Sequence, residues 1–219
     1  QQEKIKRLNV PKNYIESSNY KTKNQMSKMK YLCNCFNNKK MFSDKEIIGL
    51  SDIGYMDEIE ENGNTFLENA LIKAKTIYEY LVNRGYHYPV IADDSGLEVS
   101  SLNGEPGIYS ARYAGNHNDK ANRELVIKKL KGKEDKSANF VCCLVKYYGD
   151  NKYIHSVGTT YGRIIDHELG DTSFGYDCIF FSDDLHKTFG EATKEEKNSV
   201  SHRYRAIKEL IRKEKQFNI

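Results

Sequence analysis

The 219-residue sequence predicts an α/β domain built on a mixed sheet. Three observations carry this. Apolar runs of strand length alternate with stretches of helical apolar spacing. Two Thr-x-x-Glu signatures, Thr65–Glu68 and Thr193–Glu196, mark helix starts. Two long apolar runs joined by "GDNK" (149–152) read as a hairpin, so the sheet is not purely parallel.

A short strand is expected over 13–17, followed by a helix over 19–36 and a buried strand in "EIIGL" (46–50). The acidic turn "DEIEENGN" (57–64) leads into the clearest helix, whose apolar residues Phe66, Ala70, Ala74, Ile77 and Leu81 form one stripe. That pattern puts Asn69 and Lys73 on the opposite face. "PVIA" (89–92) reads as a short buried strand, "LEVSSL" (97–102) as a second one, and 118–130 as a helix. The hairpin strands cover 138–148 and 152–165, and "FGYDCIFF" adds a strand ending at Ser182. Val200, Tyr204, Ile207 and Ile211 give the last helix its apolar stripe.

Charged residues make up 30% of the chain and the net charge is only +3, which is an ordinary soluble composition. The charge is uneven: residues 1–45 hold eleven Lys or Arg against three acids, an excess of eight, whereas 46–68 hold seven acids and no Lys or Arg. Residues 1–12 are expected to be a basic, flexible extension and 13–219 a single domain. Five cysteines with no paired Cys-x-x-Cys spacing fit neither a disulfide framework nor a zinc site, so reduced thiols and a cytoplasmic location are expected. The longest apolar run, "FVCCLV", is far shorter than the roughly 20 residues of a membrane helix. No signal peptide is expected, since no apolar segment follows the basic start. The chain begins "QQEK" without Met, so an upstream piece is expected.

The chemistry concentrates in four places. Asp93 and Asp94 leave an apolar strand and meet Ser95-Gly96, and alternation along a strand would point the two carboxylates to opposite sides. One can then face a ligand with a magnesium ion while the other ties down the turn; the bland alternative is a turn cap beside a surface charge. Glu61, just before the first clear helix, can reach a metal, and Lys73, two turns in, a phosphate. In "SFGYD" (173–177), aromatic residues flank a glycine and let a flat ring stack, with Asp177 at its edge. Lys197, Ser201, His202 and Arg203 supply donors around the start of the last helix, which suits an oxygen-rich ligand edge.

Four segments, "TFLENALIKAK", "IADDSGLEVSSLNGEPGIYSARYAG", "SFGYDCIFF" and "EEKNSVSHRYRAIKEL", closely resemble the inosine triphosphate pyrophosphatase (Ham1-like) family. The resemblance runs from about Ile15 to Leu210. It implies magnesium-dependent hydrolysis of inosine, deoxyinosine and xanthosine triphosphates to the monophosphate and pyrophosphate. It further implies a homodimer, with a long central mixed sheet flanked by helices and an active-site cleft between two lobes. By the same resemblance Glu61 and Asp94 hold Mg2+, Asp94 and Lys73 are catalytic, and Asp93 is a structural neighbour. Ser17, Asn19, Lys21, Lys23, Lys73 and Ser95 join the substrate-binding set on the phosphate side. Phe174, Tyr176, Asp177, Lys197, Ser201, His202 and Arg203 hold the base and sugar.

The sequence departs from the family pattern in its first motif, Thr-Gly-Asn-x-x-Lys. "SSNYKTK" (17–23) has Ser17-Ser18 for Thr-Gly and Thr22 at the lysine position, leaving Lys21 or Lys23 to substitute. Cys178 replaces the usual proline after "GYD". A function of another class stays open beside the enzyme: a catalytically weakened homologue that binds nucleotide or nucleic acid through the basic N-terminal arm.

Overall fold

The structure, a computed structural model, describes residues 30–33, 46–115, 117–171 and 174–217. Seven strands form one sheet: β1 (Lys30–Cys33), β2 (Glu46–Ile48), β3 (Val90–Val99), β4 (Ser137–Gly149), β5 (Lys152–Ile164), β6 (Phe180–Ser182) and β7 (Lys187–Thr188). Their order is β2-β1-β3-β4-β5-β6-β7. β1 runs parallel to both β2 and β3, and every later pairing is antiparallel, so the expected mixed α/β sheet is present. Four helices accompany it among the described residues: α1 (Phe66–Val82), α2 (Asp119–Leu130), α3 (Lys194–Val200) and α4 (His202–Phe217).

The β4–β5 hairpin is the backbone of the sheet. Asp150 and Asn151 both take positive φ (49° and 57°), the conformation that matches a two-residue turn to the right-handed twist of the flanking strands. The two helix-start signatures also hold. Thr193 and Glu196 make a reciprocal capping box, whereas Glu68 reaches past Thr65 to the backbone of Asn64 (2.6 Å) and so ties the acidic loop to α1.

Two layers cover the sheet. On one face Ala70, Ala74, Ile77 and Leu81 of α1 pack on Val90, Ala92 and Val145. On the other, Ala206, Ile207 and Leu210 of α4 pack on Ile91, Cys142, Leu144 and Ile154. Each Val, Leu or Ile among these contributes roughly 1.5–3 kcal/mol on burial. A third cluster joins Val126 and Leu130 of α2 to Leu97, Phe140, Phe180 and Phe189. Cys142, Cys143 and Cys178 are buried free thiols.

The structure corrects several expectations. Lys30–Cys33 is a strand inside the stretch expected to be helical, because pairing with β2 on one side and β3 on the other satisfies its backbone. The rest of that helix, and the strand at 13–17, lie outside the described residues. The segments 89–92 and 97–102 do not form two strands. One strand, β3, passes straight through Asp93-Asp94-Ser95-Gly96 because β4 pairs with it from Val90 to Val99, and Ser100–Leu102 turns as a 3-10 helix. "FGYDCIFF" is strand only at Phe180–Ser182, since Asp177–Ile179 turns as a 3-10 helix. Asn69 and Lys73 do not lie on an outer face; both are buried beside Ala70 and Ala74 and look toward β3.

Candidate active site

The site is built along β3. Among the described residues β1 pairs with β3 only at Val90 and Ile91, while β3 continues to Val99. Toward its end the segment 105–110 packs on the same edge, where Ser110 Oγ accepts from Leu97 N–H (2.9 Å) and the Glu105 carbonyl from Val99 N–H (3.1 Å). Gly96 permits this crowding, since a Cβ would lie 2.3 Å from the Gly107 carbonyl and 2.6 Å from Ser110 Oγ.

Strand alternation sends the paired carboxylates to different layers. Asp94 faces α1, where Lys73 Nζ donates to its Oδ1 (3.1 Å) and Asn69 Nδ2 to its Oδ2 (3.1 Å). Lys73 also donates to Glu61 Oε2 (3.2 Å), so one ammonium is shared by both carboxylates. The loop bearing Glu61 is fixed by Gly63 N–H on Asn69 Oδ1 (2.8 Å) and by Arg112 on the Glu61 carbonyl (3.3 Å). Gly63 has no room for a side chain there, as a Cβ would sit 2.7 Å from Asn69 Oδ1.

Burial raises the Asp94 carboxyl to about 6, against the pull of Lys73 and Asn69. Burial also works against the Lys73 charge, but Asp94 and Glu61 more than reverse this and hold it above the ordinary lysine value. This is a place that wants positive charge. Among the described residues no three His, Cys, Asp or Glu side chains cluster to hold a metal by themselves. Magnesium does not need that many, since it binds through one or two carboxylates together with waters and substrate phosphates. Glu61 and Asp94, which already share a cation, fit it.

Asp93 faces α4. Its Oδ2 accepts from Arg203 Nε (3.1 Å) and from Ser95 Oγ (2.9 Å), so it is a structural anchor, although of a continuous strand and not of a turn. On this face lies a pocket of about 170 Å³, lined among others by Ser95, Phe140, Phe174, Tyr176, His202 and Arg203. Phe174 is 69% exposed at its mouth, while Tyr176 is buried and donates to the Ser110 carbonyl (2.8 Å). Asp177 is buried and ion-paired with Lys197; burial raises its carboxyl and Lys197 opposes this.

Ser201 caps α4, accepting from Tyr204 N–H (3.2 Å), and the next two residues present their side chains at the pocket. His202 stacks on Phe140 with ring centroids 5.0 Å apart. Burial, then the charges of Arg203 and Lys197, lower its pKa well below the ordinary value, so the imidazole is neutral. Arg203 Nη1 lies 3.2 Å from Nε2, and since a guanidinium only donates, the proton is assigned to Nδ1. Nδ1 is buried without a hydrogen-bond partner among the described residues.

α4 is held this close by β5. Ser156 Oγ donates to the Ala206 carbonyl (2.7 Å), Thr160 Oγ1 to the Val200 carbonyl (2.8 Å), and a Cβ on Gly158 would lie 2.1 Å from the His202 carbonyl.

Residues 18–213 match the model of the Ham1 family. The chain belongs to that family. It is 46% identical over 168 residues to a dITP/XTP pyrophosphatase of Clostridium perfringens, an alignment covering 75% of this chain and 82% of that one. The solved structure of the Staphylococcus aureus Ham1 protein superposes with a TM-score of 0.75 at 40% identity, covering 85% of this chain and 98% of that one. A Ham1 protein of Coxiella burnetii gives a TM-score of 0.74 at 30% identity over 86% and 99% of the two chains.

In this Ham1-family chain the sequence-derived residues fall into two groups flanking β3. Glu61, Lys73 and Asp94 meet on the α1 side, while Ser95, Phe174, Tyr176, Asp177, Lys197, His202 and Arg203 line the pocket, with Ser201 capping the helix beneath it. Ser17, Asn19, Lys21 and Lys23 lie outside the described residues. Sequence reasoning missed Asn69, Arg112, Asp119 and Arg123. Asn69 stands one helical turn before Lys73, which was a readable signal. The other three matter only through long-range contacts that carry no local mark.

Proposed function

We propose that the protein hydrolyses non-standard purine nucleoside triphosphates, namely inosine, deoxyinosine and xanthosine triphosphate, to the monophosphate and pyrophosphate, and that it requires Mg2+. The observation that carries this reading is the division between the two faces of β3: a cation-seeking carboxylate pair on one face, and a ring-sized pocket rimmed by aromatic residues and donors on the other. A nucleotide laid across that strand puts its phosphates beside Asp94 and its base against Phe174. The names of the relatives point the same way.

Glu61 and Asp94 hold the metal, which when bound neutralises charge on the phosphates and on the leaving pyrophosphate. Asp94 orients the attacking water and takes its proton. The water oxygen bonds to the α-phosphorus as the bond to the α–β bridging oxygen breaks, and the electron pair leaves on pyrophosphate. Lys73 stabilises that charge, and no covalent intermediate is needed. At the base, donors of His202 and Arg203 meet the 6-oxo group of hypoxanthine or xanthine. Adenine has an amino group there, which leaves donors unpaired at about 1–3 kcal/mol each. Phe174 stacks on the ring, Lys197 and Asp177 lie at its edge, and Ser95 supports the join between base and phosphate sides. Ser17, Asn19 and Lys21 or Lys23 complete the grip on the triphosphate.

The protein works as a cytoplasmic homodimer with its cleft between two lobes, and needs neither nucleic acid nor membrane. Among the described residues no helix is long and apolar enough to cross a membrane. The rival reading, a weakened homologue that binds through its N-terminal arm, is not favoured by the names of the relatives, which are pyrophosphatases. A panel of nucleoside triphosphates assayed for pyrophosphate release with and without magnesium tests the proposal. Turnover of the three 6-oxo substrates only with magnesium, falling about 10²-fold or more in Asp94→Asn, supports it; no turnover by the wild-type chain refutes it.

A further inference from the structure

The base pocket is lined by a residue that the mechanism above does not use. Asp119 opens α2, and its Oδ2 accepts from the Gly175 N–H (2.7 Å). One turn later the buried Arg123 donates from Nη1 to the Gly175 carbonyl (2.8 Å) and from Nε to Glu168 (2.8 Å). Both polar groups of Gly175, between Phe174 and Tyr176, are thus held by side chains of one helix. That clamp fixes where the Asp119 carboxylate stands relative to the ring site.

Two carboxylates line this pocket, Asp119 and Asp177. The Asp177 charge is paired with Lys197. Asp119 has no Lys, Arg or His within ion-pair distance among the described residues, and its one hydrogen bond there leaves Oδ1 able to accept another. A carboxylate only accepts. A 6-oxo purine carries a proton on N1, next to the oxo group that His202 and Arg203 would bind, whereas adenine has a bare lone pair at N1. We propose that Asp119 is a specificity-determining residue that accepts the N1–H of 6-oxo purines and turns adenine away, an inference that rests on the function proposed above. The site would then read two adjacent atoms, an acceptor and a donor, where adenine has both reversed. Guanine shares N1–H, so this discrimination is against adenine.

Asp119→Asn tests this in the full chain, because the amide oxygen can still accept from Gly175 while the amide nitrogen offers the pocket a donor. Arg123→Lys is the companion variant: it disturbs the same clamp from a residue that does not line the pocket. The readouts are kcat/KM for pyrophosphate release from inosine and adenosine triphosphates, with melting temperatures. Asp119→Asn is expected to lower the inosine-to-adenosine preference about 10- to 100-fold, by losing on inosine and gaining on adenosine. Asp119→Ser, with no carboxylate and no amide, is expected to lose on inosine without the gain. Arg123→Lys is expected to change both substrates alike. A preference in Asp119→Asn within threefold of wild type overturns the inference, as does an equal fall in Arg123→Lys, which would reduce Asp119 to a prop for the loop. A wild-type chain that does not cleave inosine triphosphate overturns the function itself, a result visible before any variant is compared.

Discussion

Asp93 and Asp94 share a peptide bond and belong to opposite layers: Arg203 of α4 donates to Asp93 at 3.1 Å, and Lys73 of α1 donates to Asp94 at 3.1 Å. Two adjacent negative charges are tolerated because each has its own cation and the strand separates them. On the proposed function, the same alternation divides phosphate chemistry on the α1 side from base recognition on the α4 side.

Asp94→Asn should reduce pyrophosphate release by about 10²- to 10⁴-fold, the range for losing a positioned base. It should also change the pH dependence of stability. In metal-free protein the Asp94 carboxyl titrates near 6, above its ordinary value, so the folded state binds the extra proton and loses stability as pH rises from about 4 to about 6. Melts in chelator across that window should show this loss in wild type and not in Asp94→Asn. Identical pH profiles would contradict the assignment.

Lys73→Met strips Glu61 and Asp94 of their shared cation. Breaking a buried pair this way costs on the order of 3–5 kcal/mol, and magnesium, by binding the exposed pair, should restore part of it. The check is the magnesium-induced rise in melting temperature, larger in Lys73→Met than in wild type. Equal rises would mean that the carboxylates do not receive the metal.

His202 has the opposite pH behaviour. Its folded-state pKa is depressed, so the stability it contributes is complete above its unfolded value of about 6.5 and is lost as pH falls below that. His202→Gln should flatten the acid-side loss of stability in denaturant titrations below about pH 6.5. A wild-type chain and variant with the same acid slope would show that the imidazole is not buried neutral.

Gly158→Ala drives a methyl group into backbone, 2.1 Å from the His202 carbonyl and 2.3 Å from the Ala206 nitrogen. Overpacking of this kind costs about 1–3 kcal/mol or more. Since α4 must move to relieve it, KM for inosine triphosphate should rise more than kcat falls. A variant as stable as wild type would contradict the tight β5–α4 contact.

Much of this was legible in the sequence where local chemistry decides. The GDNK turn, the Thr193 capping box and the apolar stripe of α1 each carry their own signal, and the expected elements are there. Partner-dependent features were not legible. Asp93-Asp94-Ser95-Gly96 looks like a turn until β4 supplies ten residues of pairing. Lys73 looks like a surface lysine until Asp94 gives it a reason to be buried. The Asp119–Gly175–Arg123 clamp joins residues more than 50 positions apart and leaves no periodic trace. In the site, residues that carry charge or aromatic rings were readable, whereas the groups that position them were mostly not.

Hydrolysis of inosine triphosphate in ¹⁸O-enriched water with magnesium, followed by mass analysis of both products, tests the central claim most directly. Attack on the α-phosphorus beside Asp94 puts the heavy oxygen in inosine monophosphate and leaves pyrophosphate unlabelled. Label in pyrophosphate, or orthophosphate as the first product, would contradict it.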